Sequence, residues 1–80
     1  MDQELFNRFV KCAVDTLKVD AAQVVPTARF KEDLDADSLD VVELVMALEE
    51  EFGLSENIPE EELTEVTTVG QAFDIVVSKL

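Results

Sequence analysis

Ser38-Leu39-Asp40-Val41-Val42-Glu43-Leu44-Val45-Met46-Ala47-Leu48-Glu49-Glu50-Glu51-Phe52 is the stretch that decides the fold. Val41, Leu44, Val45, Leu48 and Phe52 recur within it at the three- and four-residue spacing of one helix face. Gly53 follows as a C-terminal stop, so the pattern predicts a helix from about Ser38 to Phe52. That stripe alone suffices to seat a helix on a small core. Leu39, Val42 and Met46 nevertheless make a second apolar row, offset from the first and starting beside Ser38. Asp40, Glu43 and Glu50 flank this row, and Glu49 and Glu51 stand near its far end. Such a row is usually more core; with the other stripe already complete, it reads as a docking surface.

Ser38 lies between Asp37 and Leu39 where the helical pattern begins, so its hydroxyl is at the mouth of a helix. Two readings are open. A serine there can be an N-cap, contributing about 1 kcal/mol, or it can be a covalent attachment point. Asp37 competes for the cap.

Working outward toward the N-terminus, residues 19–36 show no sustained period, and Pro26 interrupts helix formation. Val24, Phe30 and Leu34 are expected to pin this long connection to the core, with one short turn near Asp20 to Val24. Before it, Phe6, Phe9, Val10, Ala13 and Leu17 form the apolar face of a helix from about Gln3 to Leu17. Its solvated face offers Glu4–Arg8 and Lys11–Asp15 as pairs four residues apart. Toward the C-terminus, Pro59 fits the first position of a short helix reaching about Glu65, with Glu60, Glu61 and Glu62 complementing its dipole. Thr68 and Gln71 make a capping-box pattern ahead of Val69, Ala72, Phe73, Val76, Val77 and Leu80.

The expected fold is therefore all-α: residues 1–80 as a single domain, a small four-helix bundle of three main helices and one short helix. A long connection joins the first two. The expected core is Phe6, Phe9, Leu17, Phe30, Leu44, Val45, Leu48, Phe52, Ile58, Val66, Val69, Phe73 and Val76.

Composition narrows the function. The net charge is −13, and between Glu32 and Ser78 there are 15 acids and no base. This field opposes DNA, RNA and anionic membranes, favours partners with basic patches, and strains the folded state by self-repulsion that salt or divalent cations relieve. No apolar run approaches the roughly 20 residues that cross a bilayer, and no signal peptide is visible. A lone Cys12, read as a small apolar side chain, suits a reducing cytosol. Without histidine there is no Ser-His-Asp or Cys-His nucleophilic centre and no common zinc site. No phosphate-cradling glycine loop or EF-hand spacing is present either. The expectation is a monomeric, cytoplasmic, non-catalytic protein with no metal site.

Several stretches resemble the acyl carrier protein family, in the free-standing form used by bacterial-style fatty acid synthesis. Phe30-Lys31-Glu32-Asp33-Leu34 is similar to the family's approach to its attachment site, and Ala36-Asp37-Ser38-Leu39-Asp40 to the attachment motif. Val42 to Phe52 resembles the recognition helix; Ile58-Pro59 and Thr67-Thr68-Val69 resemble the third helix and the start of the fourth. The resemblance implies that Ser38 is esterified to 4′-phosphopantetheine by a phosphopantetheinyl transferase using coenzyme A and Mg²⁺, and that the arm's thiol carries acyl groups as thioesters. It further implies that Asp37, Asp40, Glu43, Glu49 and Glu50 meet basic patches on acyl-chain synthases, reductases, dehydratases and acyltransferases. Leu39, Val42 and Met46 would enter apolar pockets there. Val41, Val45, Leu48, Phe52, Val66 and Ala72 would line an expandable cavity for the acyl chain.

Two departures stand out. Asp35 occupies a position where the family commonly has glycine, and residues 53–57 lengthen the usual connection before Ile-Pro by about two. Fatty acid synthesis is the first pathway implied. A carrier dedicated to a polyketide, D-alanyl or other acyl load is a second reading, and an acidic helical adaptor with no prosthetic group a third.

Overall fold

A computed structural model describes residues 2–80. Four α-helices follow in chain order: α1 (Gln3–Leu17), α2 (Ser38–Glu51), α3 (Glu60–Leu63) and α4 (Val69–Ser78). The short turn anticipated before Val24 is a 3₁₀ turn at Ala21–Gln23.

Local chemistry sets the helix ends. The Asp2 carboxylate accepts from the Leu5 amide at 3.1 Å and opens α1. The helix closes where Lys18 turns left-handed, at φ 59°, and donates its N–H to the Val14 carbonyl. Phe52 caps α2 and Gly53 follows at φ 62°. The Leu54 amide then reaches back to the Glu49 carbonyl at 2.9 Å and the Gly53 amide to Glu50 at 3.3 Å, a Schellman closure. Thr68 and Gln71 form the expected capping box on α4.

The aromatic centre joins α1 to α4. Phe6 and Phe9 stack with centroids 6.0 Å apart, and the Phe73 ring stands edge-on to both, at 5.2 and 5.7 Å. Leu44 and Leu48 of α2 are fully buried beside it, and α1 packs chiefly on α2. Eleven of the thirteen expected core residues are buried; Leu17 and Val66 are only half-buried at its margin.

The connection from Val19 to Asp37 is anchored rather than loose. An antiparallel bridge pairs Arg29 with Thr68. Around it the Phe30 amide donates to the Thr67 carbonyl, the Val69 amide to Ala28 and the Gly70 amide to Pro26, at 2.9–3.0 Å. Val24, Ala28, Phe30, Leu34 and Ala36 are buried beneath. Arg29 pairs with Glu32 and Asp33, and its backbone N–H, followed by its guanidinium, holds the Asp33 carboxyl below the usual carboxylate range.

Some local expectations need correcting. Pro59 is the N-cap of α3 rather than its first residue, and α3 ends at Leu63 rather than Glu65 because no residue in it is buried to extend it. The last helix stops at Ser78, short of Leu80. Arg8 turns from Glu4 to Glu51, bonding both its carboxylate and its backbone carbonyl while covering the Phe52 ring 4.6 Å from its centroid. Three hydrogen bonds to two acceptors, and a ring, outcompete one exposed neighbour. Lys11 and Asp15 do not form an ion pair.

Candidate functional site

The turn ahead of α2 is built so that Ser38 is presented without being used. The Ala36 amide donates to the Phe30 carbonyl at 2.7 Å, closing residues 30–36 into a tight loop. Asp35 takes the left-handed conformation there, at φ 53°. Aspartate is among the few side-chain-bearing residues that adopt it at modest cost, which accounts for glycine's place being filled by an acid. Asp37 then extends the backbone, and its carboxylate accepts from the Asp40 amide at 2.9 Å while Asp40 accepts from the Asp37 amide at 3.2 Å. This reciprocal box caps α2. Ser38 is thus the first helical residue, not the cap. Its side chain is exposed, and among the described residues no hydrogen bond engages its hydroxyl or the amides of Ser38 and Leu39.

Two grooves open onto Ser38. One, of about 510 Å³, runs between α2 and α3 past Val41, Val42, Leu63 and Val66. The other, of about 440 Å³, runs under the preceding loop past Phe30, Lys31 and Val66. A phosphate ester on the serine would meet open amides at the positive end of the helix dipole, and a chain beyond it would meet apolar walls. The residues present therefore fit a phosphopantetheine arm.

Down α2, Leu39 and Met46 are 64% and 62% exposed and Val42 is half-buried, so the second apolar row is surface. Glu43 and Glu50 are exposed beside it. Asp37 and Asp40 carry the cap as well as their charge. Glu49 is half-buried, and one of its carboxylate oxygens accepts from the Ile58 amide, tying the loop before α3 to α2. Of the residues expected to line a cavity, Val41 and Val66 border both grooves at Ser38 and Val45 borders a third, of about 740 Å³, between α2 and the 54–63 segment. Leu48, Phe52 and Ala72 are packed into the core instead. Leu54, Leu63 and Lys31 also line these grooves and were not singled out from the sequence. Leu63 and Leu54 belong to segments too short to show a period. Cys12 lies away from Ser38, half-buried on α1, where burial pushes its thiol up from the ordinary value.

No helix among the described residues is long and apolar enough to cross a membrane. Residues 7–75 match the family model described as "Phosphopantetheine attachment site". Over 79 residues the chain is 51% identical to an acyl carrier protein of Picosynechococcus, covering 99% of this chain and 95% of that one. It is 49% identical over 75 residues to one from Rubrobacter xylanophilus, covering 94% and 90%. With one from Thermosynechococcus vestitus it shares 48% over 77 residues, covering 96% and 93%. A match to an attachment domain over most of the chain sets aside the adaptor that lacks a prosthetic group. With a helical bundle that leaves a serine hydroxyl open at the head of its second helix, and with relatives of about half identity across nearly the whole length, this chain belongs to the acyl carrier protein family, whose members carry 4′-phosphopantetheine.

Proposed function

We propose that Ser38 is the attachment residue and that residues 1–80 act as one carrier domain, non-catalytic and cytoplasmic, handing acyl intermediates between the enzymes of fatty acid biosynthesis. The carrying observation is the cap: Asp37 and Asp40 close the helix between themselves, so the Ser38 hydroxyl has no structural duty and stands exposed where two grooves meet. In loading, the Ser38 oxygen forms a bond to the phosphorus of coenzyme A that bears pantetheine. The pyrophosphate bond breaks, adenosine 3′,5′-bisphosphate leaves, and the hydroxyl proton passes to the transferase. The bound arm supplies a thiol for thioester carriage. The chain's own contribution is to present, shelter and steer: a flexible tether on an inert body raises the effective concentration at each successive enzyme.

Intact mass after incubation with coenzyme A, Mg²⁺ and a broad-specificity phosphopantetheinyl transferase tests this. The wild-type chain should gain one phosphopantetheinyl unit and Ser38→Ala none. An unchanged wild-type mass would overturn the carrier reading, and a shift in Ser38→Ala would overturn the site.

Partner recognition is assigned to Leu39, Val42 and Met46 as the apolar strip, with Asp37, Asp40, Glu43, Glu49 and Glu50 as its acidic rim. Glu43 is the clean probe because it is exposed and, among the described residues, its side chain makes no hydrogen bond or ion pair. Glu43→Lys should slow association with a partner synthase about tenfold at low salt, with an unchanged melting temperature. Asp40→Lys should also lower stability by about 1 kcal/mol, because the Asp37 amide loses its acceptor in the capping box and a cation enters the first turn of α2. Stopped-flow binding and thermal melts separate the two; equal association rates for wild type and Glu43→Lys would remove Glu43 from the surface.

A further inference from the structure

Six bases stand against 19 acids in this chain, and their placement is uneven. Arg8, Arg29 and Lys79 are held in ion pairs with Glu51, with Glu32 and Asp33, and with Glu62. Lys31 is in no ion pair among the described residues, is exposed, and lines the same groove as Ser38. It is also the last base before Lys79. Its position is fixed by backbone, because the bond from the Ala36 amide to the Phe30 carbonyl folds residue 31 back beside the start of α2. Of the neighbouring carboxylates, Asp33 and Glu32 are engaged by Arg29 and Asp37 and Asp40 by the cap, while the exposed Asp35 forms no ion pair with Lys31.

We infer that Lys31 is the counter-charge of the phosphodiester on Ser38, a positioning residue that draws the arm toward the groove bordered by Phe30, Val41 and Val66. This rests on Ser38 being the attachment residue. A phosphodiester adds a negative charge to a surface where Asp33, Asp35, Asp37 and Asp40 already repel it. The open amides of Ser38 and Leu39 offset part of that repulsion, and an ammonium on a flexible four-carbon stem supplies the rest. An arm held at its phosphate sweeps a smaller volume, and its first segment starts on an apolar floor.

The test is a thermodynamic cycle on melting temperature, apo against loaded, for wild type, Lys31→Gln, Lys31→Arg and Lys11→Gln. Lys11→Gln makes the same charge change on α1, beside a groove that does not include Ser38. Loading is verified by mass first, so an unloaded chain reports on Ser38 and not on Lys31. At 20 mM NaCl, loading should lower the melting temperature of Lys31→Gln by about 2–4 °C more than that of wild type. The excess should vanish in 0.5 M NaCl. Lys31→Arg and Lys11→Gln should follow wild type. The ³¹P resonance of the loaded protein should move with Lys31→Gln and stay fixed with Lys11→Gln. Equal loading shifts in all four proteins, or a ³¹P resonance indifferent to Lys31, would overturn the inference. Slower loading of Lys31→Gln with no excess shift would do the same, assigning Lys31 to the transferase's surface.

Discussion

Phe9→Ala is expected to lower the unfolding free energy by about 3–5 kcal/mol. The ring is fully buried, stacked with Phe6 and capped edge-on by Phe73, so truncation removes area and two aromatic contacts and leaves a hole lined by rings. The hole does not collapse easily. Phe6 and Phe9 lie on one rigid helix, and Phe73 is fixed by α4. Domains of this size hold about 5–15 kcal/mol in all, so the variant should be substantially destabilised at 37 °C and melt tens of degrees lower. Chemical denaturation with an unchanged slope checks it. A loss under 1 kcal/mol would show that the centre of the molecule lies elsewhere. Phe52→Ala should cost less, since that ring is 9% exposed at the core's edge and is covered on one side by the Arg8 guanidinium rather than by core side chains.

Gly70→Ala should destabilise by about 1–3 kcal/mol, the reverse of what helix propensity alone gives. Gly70 is in the first turn of α4, and a methyl there would sit 2.9 Å from the Pro26 carbonyl oxygen. That oxygen is backbone and accepts from the Gly70 amide, so neither atom can move aside without breaking their bond. Alanine's intrinsic gain of about 1 kcal/mol in a helix is offset by the clash and by loosening of the adjoining Val69 to Ala28 bond. Thermal melts check the sign. Amide exchange locates the damage: Val69 and Phe30 should lose protection together. A more stable variant would show that the connection is not clamped to α4.

Most of the architecture was legible because it rests on repetition. The stripes through Phe6, Phe9 and Ala13, through Leu44 and Leu48, and through Val69, Phe73 and Val76 each bury the face that their spacing defines. What escaped was aperiodic. Ala28 and Ala36 are buried because the connection pairs with residues some forty positions away, and small side chains in an irregular segment carry no period. At the site, the offset row of Leu39, Val42 and Met46 was visible as surplus. The choice of Asp37 over Ser38 as cap was not, because aspartate and serine cap about equally well and only geometry decides. Glu49 read as one more surface acid until its bond to the Ile58 amide appeared.

That bond has a bearing on rates. α3 is a single turn of four residues, three of them glutamate and none fully buried. Leu63 packs at the core's margin, and the bonds of Glu49 to Ile58 and Lys79 to Glu62 tie the segment down. Its opening needs no disruption of the aromatic centre, so it belongs to the low-energy, fast end of the molecule's fluctuations, while α1, α2 and α4 open only with the whole. The two walls of the groove beside Ser38 therefore keep different clocks: the α2 wall lasts as long as the fold, and the α3 wall can come and go many times within one encounter with an enzyme.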